Sequence, residues 1–327
     1  MFKRICIPVA DDDTGQHVMQ WGFEFARKLG ASVVVTHAVQ SKLPEVRAEP
    51  RDTTPSLATK SPLEPWVQHG AQMDVPTVAL WSYGSDTAEA ICAVAKDQSA
   101  DLIFMPTHAR EGMRRVLLGS VAERVTRLSM IPVMLIRIDT PAQGLRFEKI
   151  VVPVDGSDTA ELALCSASQL AKQLQASLTL VHVIEDLPSQ YYAMDATLSD
   201  RTVREFEAAL EARARGITAR AAEACDPAPI ESRILHTYGY SVAQTINRVA
   251  DTIDADLIVL GTHGRTGVKR LLLGSVAESV AHHANVPVLL VSPLQRSELW
   301  QPRVLEVLAK EVLKERARKF RTSVSAG

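Results

Sequence analysis

The sequence predicts an α/β fold: two tandem, doubly wound domains, each with a five-stranded parallel sheet, followed by a C-terminal helix. Three observations carry this. The chain repeats itself at about 150 residues, a period far too long for a solenoid and right for a duplicated domain. Each half alternates short β-branched runs with helical patterns, as parallel strands joined by crossover helices do. And 327 residues suffice for about two domains, each burying its own core.

The duplication is legible stretch by stretch. "KRICIPVA" (Lys3 to Ala10) lies over "EKIVVPVD" (Glu148 to Asp155), and "SVVVTHAV" (Ser32 to Val39) over "SLTLVHVI" (Ser177 to Ile184). "ALWSYGSDTAEAI" from Ala79 matches "ILHTYGYSVAQTI" from Ile234, and "PTHAREGMRRVLLGS" from Pro106 matches "GTHGRTGVKRLLLGS" from Gly261. In the second half, Ile150–Val154 is the first strand. Ser157 and Asp158 offer N-cap oxygens, with Glu161 in capping-box register to Asp158. Leu164, Ala167, Leu170, Ala171 and Leu174 then give the apolar stripe of a helix. Leu178–Ile184 is a strand; Val203, Phe206, Leu210, Ile217 and Ala221 mark a long amphipathic helix; Ser232–His236 is the third strand. A helix over Ser241–Thr252, a strand over Asp256–Leu260, a helix over Leu271–His283 and a strand over Pro287–Val291 complete the half.

The first half departs between Val39 and Val78, where a proline-rich stretch without helical period reads as a loop. The domain boundaries are therefore 1–139, a linker over 140–147, 148–293, and an amphipathic helical tail over 294–327 that turns basic after Lys310. The fifth strands, Ile131–Ile136 and Val286–Val291, are apolar runs expected at sheet edges, where unpaired backbone invites pairing. They predict an intramolecular pseudo-dimer of the two halves; association of two chains as a homodimer stays open.

A formal net charge of −2 advertises neither nucleic acid nor a charged membrane surface. No apolar run is long enough for membrane insertion. Four scattered cysteines without metal-like spacing suit a reducing cytoplasm. Adjacent His282 and His283 point about 100° apart on a helix, which argues against joint chelation. His182 repeats His37 and reads as a strand-end residue rather than an acid or base.

In a parallel α/β sheet, ligands sit beyond the carboxyl ends of the strands where the winding reverses. Glycine at 261 and 264 lets the chain turn sharply and approach a ligand. Gly274 and Ser275 open a helix whose N–H groups and hydroxyl suit an anion, so a phosphate chain is the natural occupant. Thr262 offers its N–H. Arg265, beside Gly264, leads Lys269 and Arg270 as a cation for the outer phosphates; solvated surface charge is the plainer reading of all three.

These residues resemble the universal stress protein family, and the tandem arrangement is similar to its two-domain members. The family's nucleotide signature, G-x2-G-x9-G-[S/T], is met in full by Gly261, Gly264, Gly274 and Ser275. The resemblance implies a Rossmann-like fold and ATP as ligand, with Asp155 on the ribose side and the Val183 backbone at the adenine. Magnesium ion would come with the phosphates. The plainer reading of Asp155 is a turn at the strand end. The first half has Ala10, Pro106 and Ala109 at the matching places; Asp11, beside Ala10, substitutes in part for the carboxylate if the turn shifts. Proline has no N–H to donate, and alanine at a positive φ is strained by roughly 1 kcal/mol. The expectation is one ATP per chain, in the second half.

A dinucleotide dehydrogenase does not fit, because the first βα turn lacks GxGxxG. Hydrolysis needs a group to orient water, and no general base is evident, so turnover is slow at most. The expected function is an ATP-binding cytoplasmic stress or signalling protein. Its rivals are an ATP hydrolase or autophosphorylating enzyme, and a scaffold or binding protein for another small ligand.

Overall fold

A computed structural model describes residues 2–10, 16–40, 47–50, 63–107, 118–137, 146–185, 200–225, 230–262 and 273–292. The expected tail helix, Arg265 and Gly264 lie outside these described residues, as do His263, Lys269 and Arg270. The β-branched runs form strands where the sequence places them. In the first half these are β1 (Arg4–Val9), β2 (Ser32–Gln40), β3 (Arg47–Pro50), β4 (Thr77–Gly84), β5 (Leu102–Pro106) and β6 (Val133–Ile136). Its helices are α1 (Gln16–Leu29), α2 (Glu64–Gln72), α3 (Thr87–Asp97) and α4 (Ser120–Leu128). The second half contributes β7 (Lys149–Pro153), β8 (Ser177–Ile184), β9 (Ile230–His236), β10 (Leu257–Gly261) and β11 (Val288–Val291). Helices α5 (Asp158–Leu174), α6 (Asp200–Ala224), α7 (Val242–Thr252) and α8 (Ser275–His283) join them.

All eleven strands lie in one sheet, ordered β3-β4-β2-β1-β5-β6-β11-β10-β7-β8-β9. Within each half the parallel strands run third, second, first, fourth, fifth. The winding therefore reverses between β1 and β5, and again between β7 and β10. The halves meet where β6 pairs antiparallel with β11, Met134 opposite Leu289, and every residue of both strands is buried. The expected pairing of the fifth strands is thus the central seam of the sheet. Residues 1–294 form one compact unit rather than two beads.

Packing fuses the halves on both faces of that seam. One apolar cluster runs from Cys6, Ile91 and Val125 into Val151, Ile246 and Val280. On the other face Phe25 packs its ring 4.8 Å from Phe147, and Gln173 Nε2 donates to the Leu29 carbonyl at 2.9 Å. The repeat persists in the hydrogen bonds. Asp101 accepts from the Lys3 and Arg4 N–H groups as Asp256 does from Glu148 and Lys149, tying the fourth strand to the start of the first.

Three expectations change. The Val39–Val78 stretch is not simply a loop. It holds β3, an antiparallel strand that makes the first half's share six strands, and α2. Proline causes the misreading: Pro50 ends a strand on the sheet edge, and Pro65 stands in the first turn of α2, where no amide bond is lost. A stacked Phe23–Trp66 pair, 6.1 Å between centroids, anchors that short helix. Second, α5 is capped by Ser157, whose Oγ accepts from Ala160 N at 3.2 Å, so Glu161 falls one position beyond the box. The capping box belongs to α7, between Ser241 and Gln244. Third, the α6 stripe is carried by Ala214, Ile217 and Thr218, while Phe206 is exposed.

Candidate functional site

The second-half site is a row of strand ends. In sheet order these are β10, β7, β8 and β9, so Gly261 and Asp155 end neighbouring strands at the winding reversal. Asp155 lies two residues beyond β7. Its Oδ1 accepts the Ser157 N–H at 2.9 Å, closing a turn that delivers the chain into α5. Gly156 in that turn has φ +78°, and a Cβ there would lie 3.3 Å from Ile217 of α6, which roofs the turn. Sequence periodicity marked Ile217 only as part of a stripe.

Val183 is half-buried near the end of β8. Next to it, His182 is buried and its Nδ1 sits 2.7 Å from the Val154 carbonyl; since a carbonyl only accepts, Nδ1 carries the proton. His37 makes the same contact with the Val9 carbonyl at 3.0 Å. Both histidines fasten the first strand to the second through these contacts.

Two described residues of the glycine motif are engaged within the protein. A Cβ on Gly261 would lie 2.9 Å from the backbone carbonyl of Thr159, so the glycine lets the first turn of α5 press on the end of β10. Thr262 N–H, expected to face the ligand, instead donates to the Val291 carbonyl at 2.8 Å. The Thr262 carbonyl in turn accepts from Gly274 N at 2.7 Å, latching the loop's exit against its entry.

What the latch presents is the start of α8. Gly274 is the N-cap and offers no side-chain bond, so the N–H groups of Ser275, Val276 and Ala277 have no intrahelical acceptor. Helices α3, α5 and α7 carry side-chain caps from Asp86, Ser157 and Ser241. An N-terminus of this kind, without a side-chain cap, carries partial positive charge. The first half keeps the frame: Gly119 caps α4 without a side-chain bond, and Gly119 N donates to the Thr107 carbonyl at 2.8 Å. Ala10, just past the end of β1, stands where the second half has Asp155, and Pro106 holds the place of Gly261; Asp11 and Ala109 lie outside the described residues.

The two halves also touch where the start of α4 meets the last turn of α8. His282 Nε2, on α8, accepts the Leu118 N–H at 3.0 Å, one residue before Gly119. No group of metal-ligating side chains occurs among the described residues, and His282 serves this contact instead. Burial holds its pKa below the usual histidine value; Glu278 and Glu123 push it up and His283 down. A folded-state value below the unfolded one means the contribution is complete above the ordinary value of about 6.5 and is lost as pH falls through the folded value. An imidazolium also has no lone pair for Leu118. On acidification through that range, the wild type should therefore lose more melting temperature than His282→Gln, whose amide oxygen can still accept. Equal slopes in a pH series of melting curves would take the pH dependence away from His282.

Comparison with known proteins agrees with this architecture. The family model for the universal stress protein family matches twice, over residues 1–137 and 146–292. A Staphylococcus saprophyticus protein bearing that family name is 32% identical over 161 residues, 49% of this chain and 92% of its own. A Staphylococcus aureus relative is 31% identical over 168 residues, covering 51% of this chain and 97% of its own. A crystal structure from Pseudomonas aeruginosa covers 89% of this chain and 94% of its own at a TM-score of 0.62 and 16% identity. One from Archaeoglobus fulgidus covers 88% and 98% at 0.56 and 18%. Those two likenesses speak for the fold of the whole described unit. With both halves matched by the family model and joined in one sheet, the chain belongs to the universal stress protein family, carrying two copies of its domain in tandem.

Proposed function

We propose that the second half binds ATP and that the bound nucleotide biases the conformation or partner choice of a cytoplasmic stress or signalling protein. One observation carries the reading: the Asp155 carboxylate and the uncapped N-terminus of α8 end up on either side of the winding reversal. Phosphates would lie on the N–H groups of Ser275 to Ala277, with Gly264 and Arg265 in the loop before them. The ribose would meet Asp155, and adenine the backbone at Val183. Magnesium ion would bridge the phosphates and spread their charge. The first half, with Ala10 and Pro106, keeps the frame and leaves out the sugar's partner.

In this reading the Asp155 carboxylate serves the ribose and the Ser157 N–H, and His182 Nδ1 serves the Val154 carbonyl. No residue is assigned as the group that orients an attacking water, so turnover in this proposal is slow at most. Burial pushes the Cys6, Cys92 and Cys165 thiols up to about 12, which keeps them protonated and unreactive. No helix among the described residues is long and apolar enough to cross a membrane.

Equilibrium dialysis with ATP and magnesium ion should return one nucleotide per chain. Two per chain would overturn the asymmetry between the halves, and none at millimolar ATP would overturn the function.

A further inference from the structure

The turn after β9 keeps an aromatic ring in an unfavourable place. Tyr238 has φ 45° and Gly239 φ 84°, a tight turn closed by the Tyr240 N–H on the Thr237 carbonyl at 2.9 Å. A tyrosine in the left-handed region is strained, and here the residue is 78% exposed. Strained residues of this kind persist where the surroundings fix them, and they concentrate at functional sites.

The surroundings do fix this one. Thr237 N–H donates to the Ile184 carbonyl at 3.1 Å, tying the turn to β8. Ser241 and Gln244 close a capping box just beyond it. The Arg248 guanidinium lies 4.1 Å over the Tyr240 ring, and His236 lies 5.5 Å from the Tyr238 ring. The first half is an internal control. There the same dipeptide, Tyr83-Gly84, stays extended inside β4, half-buried, with Arg47 of β3 opposite Tyr83. In the second half the strand stops at His236, and the dipeptide is turned outward.

Position gives the ring its task. The strand ends run β10, β7, β8, β9, which in the proposed site means phosphates, ribose, base, and then Tyr238. Ile184, next to Val183, pairs with His236, so the turn stands one strand beyond the base, about 5 Å across the ladder. We infer that Tyr238 is a specificity residue of the nucleotide site: its pre-set ring stacks on the purine and closes the base end. This rests on the nucleotide reading above. Base–aromatic stacking needs a π-face and no hydrogen-bond code, and a purine offers more face than a pyrimidine.

Tyr238→Asn tests it, because asparagine tolerates the left-handed turn and the melting temperature should not fall. Calorimetry with ATP, CTP and inorganic tripolyphosphate should show ATP bound about 5- to 20-fold more weakly, a smaller ATP-over-CTP preference, and unchanged tripolyphosphate binding. Tyr238→Phe should stay within about twofold of the wild type, since the ring is kept. Unchanged ATP affinity and base preference in Tyr238→Asn would overturn the inference while leaving the nucleotide site standing. Equal loss for ATP and tripolyphosphate would overturn it as well, by showing a disturbed site. A wild type that binds no ATP would remove the nucleotide reading itself.

Discussion

Replacing Gly261 with alanine should destabilise the protein by about 1–3 kcal/mol, the usual cost of an extra methyl in a packed site. Several degrees of melting temperature should go with it. The new Cβ would meet the Thr159 side-chain methyl at 2.8 Å and the Thr159 carbonyl carbon and oxygen at 2.9 Å. Two of those three atoms are backbone, in the first turn of α5. No rotamer change clears them, so the helix has to lift from the end of β10. Lifting it also moves the Asp155–Ser157 turn, because Ser157 is both the partner of Asp155 and the cap of α5. ATP affinity should therefore fall together with stability. If Gly261 served only to let a ligand approach, affinity would fall while the melting curve stayed where it was. That separation, measured by thermal melting beside calorimetry, would refute the packing role.

The contrast between Gly261 and Thr262 shows what the sequence can and cannot disclose. The duplication and the alternation of strands with helices follow from repeat spacing and β-branched runs, because these features are local and periodic. The winding order comes with the family resemblance, and the pairing of the halves with the apolar fifth strands and that resemblance. The spacing of Gly261, Gly264, Gly274 and Ser275 is the legible part of the proposed anion site, and α8 starts at Gly274 without a side-chain cap. What glycine at 261 is adjacent to was not legible. Its neighbour is Thr159, a hundred residues away in the chain, brought there by the crossover of α5. The same holds for Thr262, whose N–H goes to β11, and for His282, whose partner lies in the other half. The Val39–Val78 stretch hides its elements for a different reason. Proline reads as a breaker, yet Pro50 and Pro65 stand at positions that forgo an amide bond at little cost. Tyr238 and Tyr83 sit in the same dipeptide and differ because only β4 has β3 alongside.

Asp155→Asn should weaken ATP binding by about 10- to 100-fold, the range expected when hydrogen bonds to a charged group are lost, with little change in melting temperature. The substitution is chosen because Asp155 admits two roles. One is local: Oδ1 accepts the Ser157 N–H at 2.9 Å and forms the turn. Asparagine makes that turn as well as aspartate does, so the fold keeps its shape. The other role is toward the ligand, where a carboxylate accepts from the two ribose hydroxyls and an amide oxygen does so more weakly. Alanine would remove both roles at once and separate nothing. A second measurement fixes the partner: dideoxy-ATP, lacking both hydroxyls, should bind the wild type about as weakly as ATP binds Asp155→Asn. The variant itself should hardly distinguish the two nucleotides, which is the signature of coupling in a double-substitution cycle. If Asp155→Asn binds ATP as the wild type does, the carboxylate is a turn former alone. The loss of its counterpart at Ala10 would then no longer explain why the halves should differ, and the reason would have to lie in the glycine loop.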